Sequence, residues 1–379
     1  MPDINVYTRA NAGAIPWPES VDGLYAQNYL TPFLKNGTEP YIKNVHQTEF
    51  NVILAGSTVF PVTLSDFDID NSYTCSPYNH YISYGGYEEI HRLNNPPAEK
   101  AIQLLLIPVA AYLKKSHFDR VVFINNWLVS TNLYPALDET TITALVDALP
   151  QLYPDRPVVF RSVDPYRNPL LFNLLQSRGY KMVLSRQVWY MDPLEAAHTR
   201  QFKEDQRVLR HHPYEIIDGK SMDENDLNRA VSLYNMLYLD KYSPYNPQFT
   251  PEFFKLARDK DLLHFRGLVR DGRMDGVMGF FMRNGMMTQP VFGYDTSLPV
   301  ETGLYRLLTL VTLQEGIRLG LKVHASAGVG PFKKLRGGRS IFEYNAVFDR
   351  HLPKNRQISW SVIKWIGDRA APLFKKYNF

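Results

Sequence analysis

Two spacings of apolar residues alternate along the first half of the chain. Short apolar runs bounded by turn-forming residues predict a hairpin at residues 50–64 and strands at residues 120–125, 157–163 and 180–191. Apolar residues at helical spacing predict helices between them, at residues 76–92, 97–115, 138–148 and 168–178. Strands that alternate with helices in this way predict an α/β fold, with helices flanking a mixed, mostly antiparallel sheet.

The second half of the chain repeats this mixture in a more regular order. The pattern predicts a strand, two helices, a three-strand meander, a long helix, two more strands and a final helix, at residues 214–217, 224–242, 251–260, 262–294, 302–319, 322–326, 341–348 and 359–376. Asp271-Gly272 and Asn284-Gly285 are strong hairpin signals within the meander. The charged segment at residues 195–212 separates the two halves.

Length and composition favour two globular domains. A chain of 379 residues with 45% hydrophobic and 21% charged residues has enough apolar material for two cores. We expect one domain at residues 1–200 and another at residues 205–379. Cys75 is the single cysteine, so neither an internal disulfide nor a cysteine-based metal site can form.

Other sequence features bear on localisation and partners. The longest apolar stretch, residues 101–113, is too short to span a bilayer, and residues 1–20 have no secretory signal, so we expect a cytoplasmic protein without a membrane partner. A net charge of +4 with no long basic run disfavours a nucleic-acid partner. His211-His212 lacks further ligands at metal spacing, which predicts no metal site.

The order of elements in the second half resembles the GNAT superfamily of N-acyltransferases. Residues 326–353, with the element Phe332-Lys333-x-x-Arg336-Gly-Gly, resemble the bacterial branch of that superfamily related to Fem-type peptidyl transferases. Residues 168–180 of the first half also resemble the late helix of such a domain. The resemblance implies tandem GNAT-like domains, the first of them degenerate.

The resemblance also implies a donor site. Two parallel strands, at residues 288–294 and 322–326, would splay apart around the pantetheine arm of coenzyme A or of a carrier protein, and the next helix would aim N–H groups at the pyrophosphate. The implied cofactor-binding residues are Val291, Phe292, Thr302, Gly303, Leu304 and Arg306. The sequence departs from the superfamily pattern in having Glu301 and a single glycine there, which leaves open an aminoacyl-tRNA donor. An ordinary helix start capped by Thr302 fits equally well.

A basic loop and several polar residues are candidates for acceptor binding and catalysis. Lys333 and Arg336, in a loop expected to face solvent, would hold an anionic group, although a solvated turn would have the same sequence. The catalytic candidates are Asp295, Glu343, Tyr344 and Ser326, each with a structural alternative as a turn former, surface strand residue, packing residue or strand end. Asn126 and Trp127 follow a strand and are candidate substrate contacts. Tyr78, Tyr81, Tyr84 and Tyr87 are interpreted as one core-facing helical stripe.

These features lead to three functional hypotheses. The first is an N-acyltransferase that moves an acyl group from acyl-CoA, or from phosphopantetheine on an acyl carrier protein, to a small-molecule primary amine. It would work by direct attack in a ternary complex, without a metal or a covalent enzyme intermediate. The second is a Fem-like transferase that uses aminoacyl-tRNA, which the charge disfavours but leaves open. The third is a non-catalytic binding module.

Overall fold

The computed structural model describes residues 2–377, and a single sheet of twelve strands runs through them. In chain order the strands are β1 Ile4–Tyr7, β2 Thr48–Ala55, β3 Thr58–Ser65, β4 Val121–Ile124, β5 Val158–Val163, β6 Lys181–Met191, β7 Glu215–Asp218, β8 His264–Arg270, β9 Arg273–Arg283, β10 Met286–Tyr294, β11 Lys322–His324 and β12 Arg339–Phe348. Their order across the sheet is β1-β2-β3-β4-β5-β12-β6-β11-β10-β9-β8-β7.

Helices cover both faces of this sheet. The α-helices are α1 Val21–Asn36, α2 Pro96–Lys115, α3 Glu139–Leu152, α4 Pro169–Ser177, α5 Pro193–Ala197, α6 Arg200–His211, α7 Glu224–Asn235, α8 Pro251–Asp259, α9 Leu304–Leu319, α10 Gly330–Lys334 and α11 Lys354–Tyr377. Two π-helices, Asn79–Glu88 and Met236–Tyr242, and four 3₁₀ turns, Arg9–Ala14, Glu89–Leu93, Gly219–Ser221 and Val300–Thr302, complete the elements. Within residues 2–377 no helix has both the length and the apolar composition needed to cross a bilayer.

The predicted α/β class and the mostly antiparallel sheet are confirmed. Among the strand pairs that the structure describes, β4–β5 and β10–β11 are parallel and the others antiparallel. The predicted hairpins at Asp271-Gly272 and Asn284-Gly285 join β8 to β9 and β9 to β10, and all four residues have positive φ. Asn, Asp and Gly adopt this backbone region at the least cost, which is why the sequence signal is reliable.

The two halves exchange strands at the centre of the sheet. Strand β12, from the end of the chain, lies between β5 and β6 and pairs with both. Strand β6, from the first half, pairs on its other edge with β11 of the second half. A boundary near residue 200 therefore divides the chain but not the sheet.

Strands β6 and β12 can occupy the centre because β6 is apolar on both faces. Val183 and Val188 are fully buried, and Trp189 is nearly so. Helix α11 packs against β6, where its Trp360 and Ile363 share a hydrophobic cluster with Val183. A strand covered on both faces carries apolar runs rather than a strict alternation, as β6 does on either side of its polar residues 185–187.

The segment predicted as an α-helix at residues 76–92 is a π-helix followed by a 3₁₀ turn. Its start is fixed by Asp119, whose carboxylate accepts hydrogen bonds from the Tyr78 N–H (2.6 Å) and the Ser76 hydroxyl (2.7 Å). The wider π turn rotates successive residues differently from an α-helix, so a three-residue spacing does not stay on one face. The predicted core-facing tyrosine stripe is confirmed in part. Tyr78 is buried in one hydrophobic cluster and Tyr81 and Tyr87 pack against it, whereas Tyr84 stacks on Tyr73 and lines a cavity.

The strand exchange predicts that residues 1–200 do not fold by themselves. In that fragment β6 would lose both neighbours, β12 and β11, and would expose apolar edges and faces. Circular dichroism under a urea gradient should show no cooperative unfolding transition for the fragment and one for the full chain. A cooperative transition of the fragment alone would contradict this dependence.

Candidate functional site

A cavity opens where the parallel strands β10 and β11 separate. The two strands pair from Met286↔Lys322 to Thr288↔His324, after which β10 has an irregularity before Val291 and β11 ends. Beyond this point lies a cavity of about 510 Å³, lined by Gln289 and Phe292 on one side and by Ala325 and Ser326 on the other. Its volume falls in the range of small-molecule sites in proteins.

Helical elements from both halves of the chain close the cavity. The first π-helix contributes Tyr81 and Tyr84, the second contributes Tyr238 and Tyr242, and α9 contributes Tyr305. Residues of α2 and α11 complete the wall. The site thus depends on the packing of the two halves against each other, and neither half would form it alone.

Arg186 of β6 is the central charged group of the site. Its Nε donates to Glu343 Oε1 (2.8 Å), and its Nη2 donates to Ser130 O (2.7 Å) and Thr131 Oγ1 (2.9 Å). Its Nη1 donates to Ser326 Oγ (3.3 Å) at the cavity wall. One guanidinium therefore connects strand β12, the segment after β4 and the residues after β11.

The ion pair between Arg186 and Glu343 keeps both groups charged. Burial by itself would raise the pKa of Glu343, but the Arg186 cation and the nearby His324, whose Nε2 is 3.7 Å from Oε2, lower it to about 2. Burial would likewise lower the pKa of Arg186, yet the adjoining carboxylate raises it. Glu343, a candidate base from the sequence, is thus an ionised partner of Arg186 and lies outside the wall of the main cavity.

His80 lies beside Arg186 in the cavity wall. Its Nε2 is 3.1 Å from Ser185 Oγ on β6. Burial, together with the Arg161 and Arg186 cations, lowers the pKa of His80 to about 3. The imidazole is therefore neutral at physiological pH and can accept or relay a proton.

Gln289 occupies the irregular part of β10, where Pro290 interrupts the strand. Its side-chain Nε2 is buried and has no hydrogen-bond partner among the residues that the structure describes. Buried polar atoms in proteins nearly always have partners, so an unpaired amide in a cavity wall indicates a place for a ligand.

The structure brings some of the sequence-predicted donor residues to the cavity. Phe292 lines it and contacts the Tyr305 ring, with centroids 5.3 Å apart. Leu304, at the start of α9, is buried in the same hydrophobic cluster as Phe292, whereas Val291 is buried in a different cluster. Gly303 has a φ of 69° at the start of α9, and no side chain caps that helix, so Thr302 is not its cap.

Lys333 does not face solvent, which corrects the sequence expectation. Its side chain is buried, and its ammonium donates to the carbonyl oxygens of Ala325 (2.6 Å), Ala327 (2.8 Å) and Ser326 (3.3 Å). The residues around it form the short helix α10 rather than an open loop. Lys333 therefore fixes the turn after β11 while part of its side chain lines the cavity.

Arg336 is also buried, contrary to the expected solvent-facing loop. Its guanidinium binds Asp205 of α6 through two hydrogen bonds, at 2.7 and 3.0 Å, and stacks on the Phe332 ring. Arg306, predicted to bind phosphate, pairs with the same carboxylate. Asp205, placed in a charged linker by the sequence, thus neutralises two of the predicted anion-binding residues.

Two catalytic candidates, Asp295 and Tyr344, lie away from the cavity wall. Asp295 is buried in an ion-pair cluster with Arg229 (2.6 Å) and Arg273 (2.7 Å). Tyr344 packs against the Phe172 ring in the core of the first half. These positions favour the structural alternatives for both residues.

Asn126 and Trp127 fill the corresponding position in the first half, where β4 and β5 separate. The Asn126 side chain accepts from Arg161 (2.7 Å) and donates to Thr63 Oγ1 (2.7 Å). Trp127 is buried beneath the Arg283 guanidinium, 4.2 Å from the ring centroid. Both side chains are buried, and neither lines the main cavity.

Sequence reasoning missed several residues at the site, namely His80, Ser185, Arg186, Asp205 and Gln289. Two signals could have found some of them. Pro290 inside a strand pattern indicates a local break in pairing, which points to Gln289. The polar pair Ser185-Arg186 interrupts the apolar run of β6.

Comparisons with known proteins found similar solved structures at low sequence identity. No family model and no curated protein matches the chain. Similar solved structures include the C-terminal domain of a putative lysylphosphatidylglycerol synthetase from Agrobacterium fabrum (12% identity, 60% of this chain and 78% of that chain, TM-score 0.45). FemX (8%, 60% and 80%, 0.45) and a tandem GNAT protein from the clavulanic acid biosynthesis pathway (10%, 93% and 100%, 0.40) are also similar.

The buried positions of Lys333 and Arg336 predict that both are needed for stability. We expect Lys333→Met and Arg336→Met each to lower the free energy of unfolding by about 2 kcal/mol, since each removes hydrogen bonds of a buried charge. Lys334→Met, at an exposed neighbour on the same helix, is the control and should change it by less than about 0.5 kcal/mol. Urea denaturation measures all three, and equal stability of the Lys333 and Lys334 variants would disprove the structural role.

Proposed function

We propose that the protein is an acyltransferase that moves an acyl group from a thioester donor to a primary amine inside this cavity. The observation that supports it is the separation of β10 and β11. It leaves the edge of β10 beyond Thr288 without a strand partner on that side among the described strand pairs, next to a cavity of about 510 Å³ that carries Arg186, His80 and Gln289 in its wall. Unpaired backbone groups can bind the amide-containing arm of a pantetheine thioester.

The start of α9 would hold the phosphate end of the donor. The first N–H groups of a helix have no partners within the helix, and here no side chain caps them. Gly303 leaves this approach open, because the nearest atom to an added Cβ there would be 3.8 Å away. Arg306 is partly exposed at this helix start and would add positive charge, although it shares Asp205 with Arg336.

The surroundings of His80 favour a neutral amine. Burial, with the nearby Arg161 and Arg186 cations, lowers the pKa of His80 and would equally disfavour an ammonium beside it, so the acceptor would bind there as a free amine with its lone pair available. Attack on the thioester carbonyl forms the C–N bond, and the C–S bond then breaks. Arg186 Nη1 and Gln289 Nε2 are the candidate donors to the oxyanion that forms between these steps.

His80 would transfer a proton from the attacking amine nitrogen to the leaving thiolate. The amine nitrogen loses one proton as the amide forms, and the leaving thiolate needs one proton to become a thiol. A neutral imidazole in the cavity wall can accept the first and supply the second. Nitrogen that has attacked a carbonyl is more acidic than a free ammonium, which narrows the pKa difference that a weak base such as His80 must overcome.

The donor assignment is tested by binding measurements with a matched pair of variants. Gly303→Asn and Gly320→Asn each replace a glycine of positive φ at opposite ends of α9, with open space around both. Asparagine tolerates this φ, whereas the β-branched residues do not. Calorimetry should show a dissociation constant for acyl-CoA raised tenfold or more by Gly303→Asn and unchanged by Gly320→Asn.

Parallel titrations would separate the three classes of donor. Binding of acyl carrier protein alone would move the donor assignment to the carrier, and binding of aminoacyl-tRNA alone would support the Fem-like alternative. If none of the three binds, the acyltransferase proposal is wrong. Equal effects of the two glycine variants would remove the phosphate site from α9.

The proposed role of His80 predicts a selective loss of rate. His80→Gln should reduce kcat/KM at least tenfold while the donor dissociation constant stays the same, and the exposed control His211→Gln should change neither. Because the pKa of His80 is lowered to about 3, wild-type activity should show no inflection near pH 6.5 and should follow the titration of the amine. Coupled detection of thiol release and of the amide by mass spectrometry measures both, and full activity of His80→Gln would exclude the relay.

A further inference from the structure

The cavity is bounded by two separate hydrophobic clusters. Phe292, Leu313 and Val323, near the separation of β10 and β11, belong to the core of the second half. At the other end, Leu106 and Ile363 belong to a cluster formed by the first π-helix, α2 and α11. We call this second end the α2–α11 arm.

Apolar side chains dominate the α2–α11 arm. Leu93 and residues of the two helices line it, namely Ile102, Leu106, Ile363, Ile366 and Leu373. Leu93, Ile102 and Ile366 are only partly buried, so apolar surface is left for a ligand to cover. Covering such surface is favourable in proportion to its area and needs no directional contact.

Two of the three charged groups in the cavity wall lie at the proposed reaction centre. Among the described residues the three are Glu89, Arg186 and Lys333, with His80 neutral. Arg186 and Lys333 both donate to Ser326 there, whereas Glu89 begins the 3₁₀ turn that ends at Leu93. A donor whose acyl group bears an ammonium would find mainly hydrocarbon in the arm, where an unpaired charge is costly.

We propose that the α2–α11 arm binds the unbranched alkyl chain of a fatty acyl donor, so that the substrate class is a medium- or long-chain acyl thioester rather than an acetyl or aminoacyl one. This inference rests on the proposed function, because it places the thioester carbonyl near Arg186 and Ser326. From there the pantetheine part of the donor would run toward α9, and its alkyl chain would run toward α11. The alkyl tail of the amine is the competing occupant.

Chain-length dependence of binding tests the inference. Acetyl-, butanoyl-, octanoyl- and dodecanoyl-CoA should bind wild-type protein with affinity rising by about fourfold per methylene up to the length of the arm. Dodecylamine and butylamine, titrated in the same way, should differ much less. Equal affinity for acetyl- and dodecanoyl-CoA would overturn the inference while leaving the acyltransferase proposal intact. Stronger chain-length dependence for the amines would assign the arm to the acceptor.

A filled arm should abolish the preference for long chains. Ala370 of α11 lines the cavity, and Ala370→Trp should lower the affinity for dodecanoyl-CoA at least tenfold without changing that for acetyl-CoA. Ser361→Trp places the same bulk at an exposed position of the same helix and should change neither affinity. Loss of both affinities in a folded Ala370→Trp protein would contradict a separate chain site.

Photolabelling of wild-type protein needs no variant and separates the two proposals. Dodecanoic acid and dodecanoyl-CoA that carry a diazirine at the chain end should both label peptides of α2 or α11. Labelling by the acid, with no binding of any thioester, would keep the chain site and disprove the proposed function. Labelling confined to other peptides would disprove the chain site.

Discussion

Strands β6 and β12 pair antiparallel at the centre of the sheet, and their cross-strand partners Arg186 and Glu343 form a buried ion pair at 2.8 Å. This pairing joins the two halves, since each half supplies one of the two strands. It also leaves two charges in a region of low dielectric, where they persist only as partners. The rest of the architecture depends on this join, because β5 and β11 have their inner neighbours only through it.

The position of the cavity follows from the same join. The second half brings the separated strands β10 and β11 to β6, and the first half brings the π-helix with His80 to the other side. Arg186 is held by Glu343, Ser130 and Thr131, so its Nη1 has a fixed direction toward Ser326. An arginine held in this way offers a donor that needs little reorganisation when charge develops nearby.

Each half contains one pair of adjacent parallel strands, β4–β5 and β10–β11, and the space beyond the pair differs between the halves. In the first half buried side chains lie in the space beyond β4. Asn126 accepts a hydrogen bond from Arg161, and Trp127 packs under the Arg283 guanidinium. In the second half the corresponding space is a cavity, with Lys333 fixing the turn that follows β11 through three carbonyl groups. A filled half that supports an open one is consistent with a degenerate first domain, which remains a prediction.

The sequence by itself determined the α/β class, both hairpins of the meander and the helices α2 and α9 to within a few residues. Apolar periodicity and Asp-Gly or Asn-Gly turns are local properties, and they survive in the folded chain. Only the tertiary structure decided that β12 inserts beside β6, that Asp205 neutralises Arg306 and Arg336, and that Lys333 is buried. These outcomes join residues more than a hundred positions apart or depend on burial, and a pattern of neighbours along the chain contains no information about either.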